Sequence, residues 1–295
     1  MTADRPLPSR RATRIGLVAI ALWSTLALST AATGAVPPFL LTSLTFAVGG
    51  LVGLLAALRG PGLGVLRLPL AAWIHGVGGL FGYHFAYFTA LKLAPPAEAG
   101  LIAYLWPLLI VLLSTTPGGL RRGHLLGALM GLCGTIVLLA GKGGFSGFEA
   151  RYLPGYLAAL ACAFIWAIYS VTARRFPDVP TQAVSGFCLA TALLAALCHL
   201  ALEETIWPVG AVQWAAVISL GLGPVGLAFY AWDIGMKRGD VKFLGVASYA
   251  APVLSTMLLV GFGFAPLHWT LGLACALIVG GAWLATRSGR QYASA

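Results

Sequence analysis

The chain of 295 residues is 59% hydrophobic and only 9% charged, with a mean hydropathy of +0.91 and a net charge of +10. A soluble domain carries roughly 25% charged and 45–50% apolar residues, so this composition excludes that class and places the chain in a lipid bilayer. The 18 Lys and Arg are scattered through short polar links and do not form the basic, aromatic-interleaved groove that nucleic-acid binding requires.

Apolar stretches of about 20 residues, the length that crosses a hydrocarbon core, predict ten helices. They lie near 14–33, 37–58, 69–91, 97–116, 122–141, 153–173, 180–201, 210–234, 242–263 and 267–286. The second half repeats the first at a shift of about 145 residues: Lys92, Tyr104, Pro107 and Gly127 recur as Lys237, Tyr249, Pro252 and Gly272, and Trp23 and Trp166 stand nearly in the same register. Each half therefore holds five spans. Five is odd, so the second half enters the bilayer from the opposite side. The expected fold class is an all-α membrane protein, ten transmembrane helices arranged as two inverted five-helix repeats. Such repeats are the usual architecture of secondary transporters, with the substrate site at the repeat interface near the midplane. The divisions are a tail of residues 1–13, a first repeat over 14–141, a second over 153–286 and a tail of 287–295.

Fifteen of the 18 cations fall on one side of this arrangement, and only Lys92, Lys142 and Arg151 on the other. The positive-inside rule then puts both termini in the cytoplasm. Helix 1 reads as a retained span, since no small-residue cleavage site leads from it into a soluble domain. The five cysteines, Cys133, Cys162, Cys188, Cys198 and Cys275, all fall within spans and lack metal-ligand spacing; they read as packing residues, and no metal or cofactor is expected.

Charge at bilayer depth is costly and usually functional, yet little is present. Glu98 follows Pro95 and Pro96, where an acid in the first turn suits a helix N-terminus. Asp233 lies one turn before Lys237, in reach of an i, i+4 ion pair. Polar groups at depth are instead aromatic and imidazole. Tyr83, His84 and Tyr87 can turn toward a common cavity from helix 3. Helix 4 adds Tyr104 and Trp106, and the second half adds Trp166, Tyr230 and Tyr249. A phenol hydroxyl or indole N–H near a span centre needs a partner or water, which makes these the candidate substrate-binding residues. His84 fits a carboxylate ligand, a proton shuttle or a packing histidine equally. Trp207, Trp214, Trp269, Trp283 and Tyr152 read as interfacial belts.

Pro107 and Pro252 occupy matching positions in helices 4 and 9, and Pro224 in helix 8 matches Gly79 in helix 3. Proline removes a backbone donor and bends its helix, so these four mark expected kinks where gating occurs. Gly49 with Gly53, Gly78 with Gly82 and Gly127 with Gly131 have the GxxxG spacing of close helix packing.

The two five-helix halves, the Ala-Leu-Trp-Ser and Phe-Ile-Trp-Ala segments at 21–24 and 164–167, and the link Ala-Leu-Lys-Leu-Ala-Pro-Pro-Ala-Glu-Ala resemble the EamA branch of the drug/metabolite transporter superfamily. The likeness runs from about 14 to 286. Within that branch, Gly-Tyr-His-Phe-Ala-Tyr-Phe at 82–88 and Ala-Tyr-Leu-Trp-Pro at 103–107 resemble the exporters of aromatic amino acids. The resemblance implies a monomeric, multi-pass protein of the bacterial inner membrane that exports aromatic and other uncharged amino acids by alternating access. The alternative is a multidrug exporter of amphipathic cations such as methyl viologen, held by cation–π attraction. A channel would need a continuous polar ring and an intramembrane enzyme a paired catalytic constellation; neither pattern is visible. The partners expected are thus a small-molecule substrate and the lipid bilayer.

Cysteine probes placed near positions 119 and 290 are expected to be labelled from the cytoplasm alone, and probes near 146 and 205 from outside alone. Equal labelling from both faces would overturn the orientation drawn from the cations.

Overall fold

The computed structural model describes residues 9–114, 120–140, 147–263 and 266–290, and among these every regular element is helical. The chain runs through α1 (Arg10–Ser24), α2 (Leu26–Ala31), α3 (Pro38–Leu58), α4 (Leu70–Leu93), α5 (Pro96–Ala103), α6 (Trp106–Leu113) and α7 (Arg122–Ala140). It continues through α8 (Leu153–Thr172), α9 (Val184–Leu202), α10 (Gly210–Leu222), α11 (Ala228–Arg238), α12 (Val241–Ala247), α13 (Ala250–Gly261) and α14 (Trp269–Arg290). Eight helical segments are long and apolar enough to cross a membrane, and Trp269–Ala285 is a shorter apolar helix. The 24 residues of α4 also have spanning length; its tyrosines and histidines make it less apolar than those eight. The protein is a multi-pass membrane protein.

Local chemistry sets the element ends. Ser9 caps α1 by accepting from Ala12 N at 3.3 Å, so the helix begins at Arg10 rather than at the expected 14. Pro38 opens α3, and the Glu203 carboxylate accepts from the amides of Phe39 and Leu40 at 2.9 and 3.2 Å. A carboxylate there satisfies orphan N–H groups and the positive helix end together. The predicted ends at 116 and 141, and the probe positions 119 and 146, lie outside the described residues.

Four predicted spans are interrupted among the described residues, the first span at Thr25, between α1 and α2. The fourth divides at Tyr104–Leu105 into α5 and α6, the ninth at Ser248–Tyr249 into α12 and α13, and the eighth passes through a π-helical turn at Gly223–Leu227. The last three breaks each adjoin a proline, which leaves a carbonyl one turn back without its donor and widens or ends the ladder; the break at Thr25 has no proline beside it. At Gly79 no break occurs: α4 runs on unbroken because glycine still supplies its N–H. Its function is steric, since a Cβ there would overlap the Tyr169 ring on α8.

The main helix contacts join the first half to the second: α1 to α11, α3 to α9, α4 to α8 and α7 to α14. Small residues allow this approach, as lipid-embedded helices associate by close packing. A Cβ on Gly127 would stand 2.5 Å from the Gly281 carbonyl, one on Gly49 2.7 Å from Gly226 Cα, and one on Gly235 2.8 Å from Gly16 Cα. Gly78 meets nothing, so its GxxxG spacing with Gly82 does no packing; Gly76 and Gly79 serve that face instead. Cys162 and Cys188 are buried as expected, whereas Cys133 is exposed on α7. Trp207, Trp214, Trp269 and Trp283 are exposed.

Gly127→Ala is expected to cost about 1–3 kcal/mol by overpacking. Gly272→Ala, at the repeat-equivalent position with nothing within 4 Å, is expected to be neutral or stabilising by up to about 1 kcal/mol. Thermal unfolding of both purified variants tests this, and equal shifts would refute the asymmetry.

Candidate functional site

A cavity of about 600 Å³ is walled by residues from both halves of the chain. Its floor is a cluster of indoles from four helices. Trp23 of α1 meets Trp166 of α8 edge-on at 5.6 Å and Trp232 of α11 at 5.0 Å. Trp106, the first residue of α6, stands edge-on to these three at 5.9–6.3 Å. Two indoles are pinned by hydrogen bonds: Trp23 Nε1 donates to the Pro224 carbonyl at 3.1 Å, and Trp232 Nε1 donates to Ser170 Oγ at 3.0 Å. Phe229 closes the cluster by stacking on Phe46 at 5.4 Å. Aromatic pairs of this kind contribute about 0.5–1.5 kcal/mol each beyond burial, so the floor is rigid.

Above the floor, Tyr83 and Tyr87 sit one turn apart on α4 and share a face, with ring planes 7° from parallel at 6.0 Å. Tyr83 lies 5.2 Å from both the Trp166 ring and the His84 ring. His84 Nδ1 contacts the Leu80 carbonyl one turn back at 2.7 Å. Tyr104 stands at the break between α5 and α6. Thr42, Thr45 and Thr256 also line the cavity, and each hydroxyl donates to a carbonyl one turn back at 2.8 Å. Among the described residues no charged side chain lines the cavity.

The rim residues Gly34, Pro38, Leu91, Leu139 and Leu259 lie at the helix ends away from most of the cations. The cation-rich end is stitched shut. Lys237 Nζ pairs with Asp233 Oδ1 at 2.8 Å and donates to the Val179 carbonyl at 2.9 Å, while Thr181 Oγ1 donates to Asp233 Oδ2 at 2.6 Å. Arg174 donates to the carbonyls of Met236, at 2.8 Å, and of Gly239. Ser9 N donates to the Arg238 carbonyl at 2.8 Å and Asp240 N to Thr13 Oγ1 at 2.9 Å. The i, i+4 pair expected at Asp233 is present, with Asp233 buried and Lys237 partly buried.

The cavity gathers Tyr83, His84, Tyr87, Tyr104, Trp106, Trp166, Pro224 and Pro252 of the candidate residues. Four candidates lie off it. Tyr249 is fully buried against α7, where a Cβ on Gly131 would strike its ring. Tyr230 inserts between α3 and α9 and its hydroxyl donates to the Gly49 carbonyl at 3.3 Å. Gly79 is covered by Tyr169, and Pro107 is buried beside Gly245 of α12. Tyr249 and Tyr230 thus pack between helices and are not among the residues that line the cavity. Glu98 is fully buried in the first turn of α5 and Asp233 nearly so, so carboxylates are more deeply buried than expected, though neither reaches the cavity. His75 packs away from it, its Nε2 3.0 Å from the Tyr169 carbonyl and 3.0 Å from Thr172 Oγ1. Sequence reasoning missed Trp23, Phe46 and Phe229. Only Trp23 carried a signal, its shared register with Trp166.

Two segments of the chain, residues 14–140 and 153–287, match the model of the EamA-like transporter family. The chain belongs to that family. As an EamA-like protein it is a membrane transporter and not an enzyme. It is 66% identical over 283 residues to the aromatic amino acid exporter YddG of Ancylobacter novellus, spanning 95% of this chain and 98% of the relative. The proteins of the same name from Salmonella typhimurium and Escherichia coli are 29% and 28% identical, each alignment spanning 95% of this chain and 99% of the relative. A solved crystal structure 65% identical in sequence superposes with a TM-score of 0.91, covering 96% of this chain and 99% of that chain.

Within this EamA-like fold the buried ion pair can be weighed directly. Lys237→Met alone is expected to cost about 3–5 kcal/mol, because it strands the buried Asp233 carboxylate, and Asp233→Asn less, because Lys237 is only partly buried. The double variant is expected to cost clearly less than the sum. Thermal unfolding of the three purified variants measures the coupling, and additive losses would show that the charges act independently.

Proposed function

We propose that the protein exports aromatic and other uncharged amino acids across the bacterial inner membrane. The observation that carries this reading is the cavity itself, floored by indoles and lined by phenols and threonines with no charged side chain. An aromatic side chain gains stacking surface there, and a zwitterionic head, whose two charges offset each other, is served by hydrogen bonds instead of full ion pairs. A phosphate or sugar nucleotide would need Arg or Lys at depth. The names of the related exporters support the same substrate class.

Transport proceeds by alternating access between two inverted five-helix repeats, residues 14–141 and 153–286, that together cross the membrane ten times with both termini cytoplasmic. The helix pairs that cross from one half to the other and the breaks at repeat-equivalent positions support this arrangement. In that orientation the cavity faces outward and the Asp233–Lys237 network closes the cytoplasmic end. Pro107 and Pro252, beside the breaks at Tyr104–Leu105 and Ser248–Tyr249, are the hinges about which α6 and α13 move. Tyr83, Tyr87, Tyr104, Trp106 and Trp166 hold the substrate.

Trp106→Ala and Tyr104→Ala are expected to raise the half-saturation concentration for tryptophan about fivefold each, since a lost ring contact of about 1 kcal/mol corresponds to that factor. Threonine, which has no ring to stack, is expected to change less. Proteoliposome transport at matched protein density measures both, with methyl viologen as a competitor to test the cationic-drug alternative. Unchanged tryptophan transport in both variants would remove these residues from the site.

A further inference from the structure

The cavity holds one imidazole, and its hydrogen bond decides what it can bind. A carbonyl oxygen only accepts, so the 2.7 Å contact between His84 Nδ1 and the Leu80 carbonyl fixes a hydrogen on Nδ1. In the neutral ring Nε2 is then a lone-pair acceptor. No carboxylate lines the cavity among the described residues to hold the ring in its charged form. The ring is also held in place, edge-on to Phe46 at 5.0 Å and to Tyr83 at 5.2 Å. Nε2 has no protein partner among the described residues and is not sequestered from the cavity that His84 lines.

The threonine oxygens that line the cavity can also accept, their hydrogens being given to backbone carbonyls, but the other unengaged nitrogens and the phenols have the opposite character. The indole N–H groups of Trp106 and Trp166 have no acceptor in the protein among the described residues, and the hydroxyls of Tyr87 and Tyr104 have no partner there. An indole N–H is a donor only, and a phenol hydroxyl donates readily to a carboxylate. The cavity thus presents one nitrogen lone pair among several donors.

A carboxylate is repelled by a lone pair, whereas an ammonium group, with three donors and no acceptor, is matched to it. We infer that His84 Nε2 receives the α-ammonium group of the exported amino acid and so makes a free α-amino group a condition of export. This rests on the amino-acid reading above and assigns the ammonium end of the substrate. Tyr83 places the other end: its ring is 5.2 Å from both His84 and Trp166, so a head at His84 sends an aromatic side chain toward the indole floor. The inference also sets aside the carboxylate, one of the three roles that fit this histidine equally by sequence.

The test uses the reconstituted full-length protein and labelled tryptophan, with indole-3-lactate and indole-3-propionate as analogues lacking the ammonium group. Against the unmodified protein both analogues are expected to compete at least tenfold more weakly than unlabelled tryptophan, the scale of a hydrogen bond to a charged group. His84→Leu is expected to weaken tryptophan about tenfold and to leave indole-3-propionate unchanged. His84→Gln, whose amide oxygen reaches the Nε2 position, is expected to recover most of that loss. Should His84→Leu not purify as a monodisperse protein, His84→Met against His84→Gln carries the same comparison. Equal competition by tryptophan and indole-3-lactate, equal weakening of tryptophan and indole-3-propionate by His84→Leu, or failure of His84→Gln to exceed His84→Leu would overturn the inference. Absence of any tryptophan transport by the unmodified protein would instead overturn the export reading on which it stands.

Discussion

Lipid offers no hydrogen bonds, so a helix may break inside a bilayer only where the protein itself satisfies the freed backbone groups. This constraint organises the structure. Each of its four interrupted spans breaks where partners are at hand; at Thr25 the amide and the hydroxyl both donate to the Leu22 carbonyl, at 3.1 and 2.7 Å. At the Tyr104–Leu105 break the amides turn back to Gly100 and Ile102 at 2.9 and 3.0 Å, and at Ser248–Tyr249 the Ser248 hydroxyl donates to the Leu244 carbonyl at 2.7 Å. In the π-helical turn the Pro224 carbonyl accepts from Trp23. Proline makes three of these breaks necessary, and their location beside the cavity or the indole cluster makes them tolerable.

The same economy governs charge. A buried ion pair adds little net stability, but losing one partner is costly, so such groups belong where they fasten elements together. At one end Glu203 joins the end of α9 to the start of α3, and at the other Asp233, Lys237 and Arg174 join the end of α11 to the end of α8 and the start of α9. The cavity beyond them is left free of charge. One end of the helix bundle is held by polar contacts that could be exchanged for others, while the middle is held by indoles and closely packed glycines that could not. A bundle built this way can open and close at its polar end while its aromatic floor stays intact.

The two halves are equal in sequence pattern and unequal in use. Tyr104 and Tyr249 stand at matching breaks, yet one faces the cavity and the other fills a groove against α7. Gly127 meets the backbone of α14, while Gly272 meets nothing. The repeated prolines thus give both halves a break, and the differing surfaces opposite them decide which residues line the cavity.

The sequence by itself determined the features that act locally. Apolar runs of spanning length, the asymmetry of cations, the proline positions and the Asp233–Lys237 spacing all follow from transfer energies and covalent geometry within one helix. Six of the eight candidate residues line the cavity, and their placement was legible for the same reason, since polar rings near a span centre must find something to bond. What the tertiary structure alone decided was which helix lies opposite. That choice buried Tyr249 and Tyr230, covered Gly79 with Tyr169, brought Trp23 to the floor and bonded His84 Nδ1 to its own helix. The reason is that a side chain's orientation on its helix is set by sequence, but the surface it meets is set by packing between helices distant in the chain.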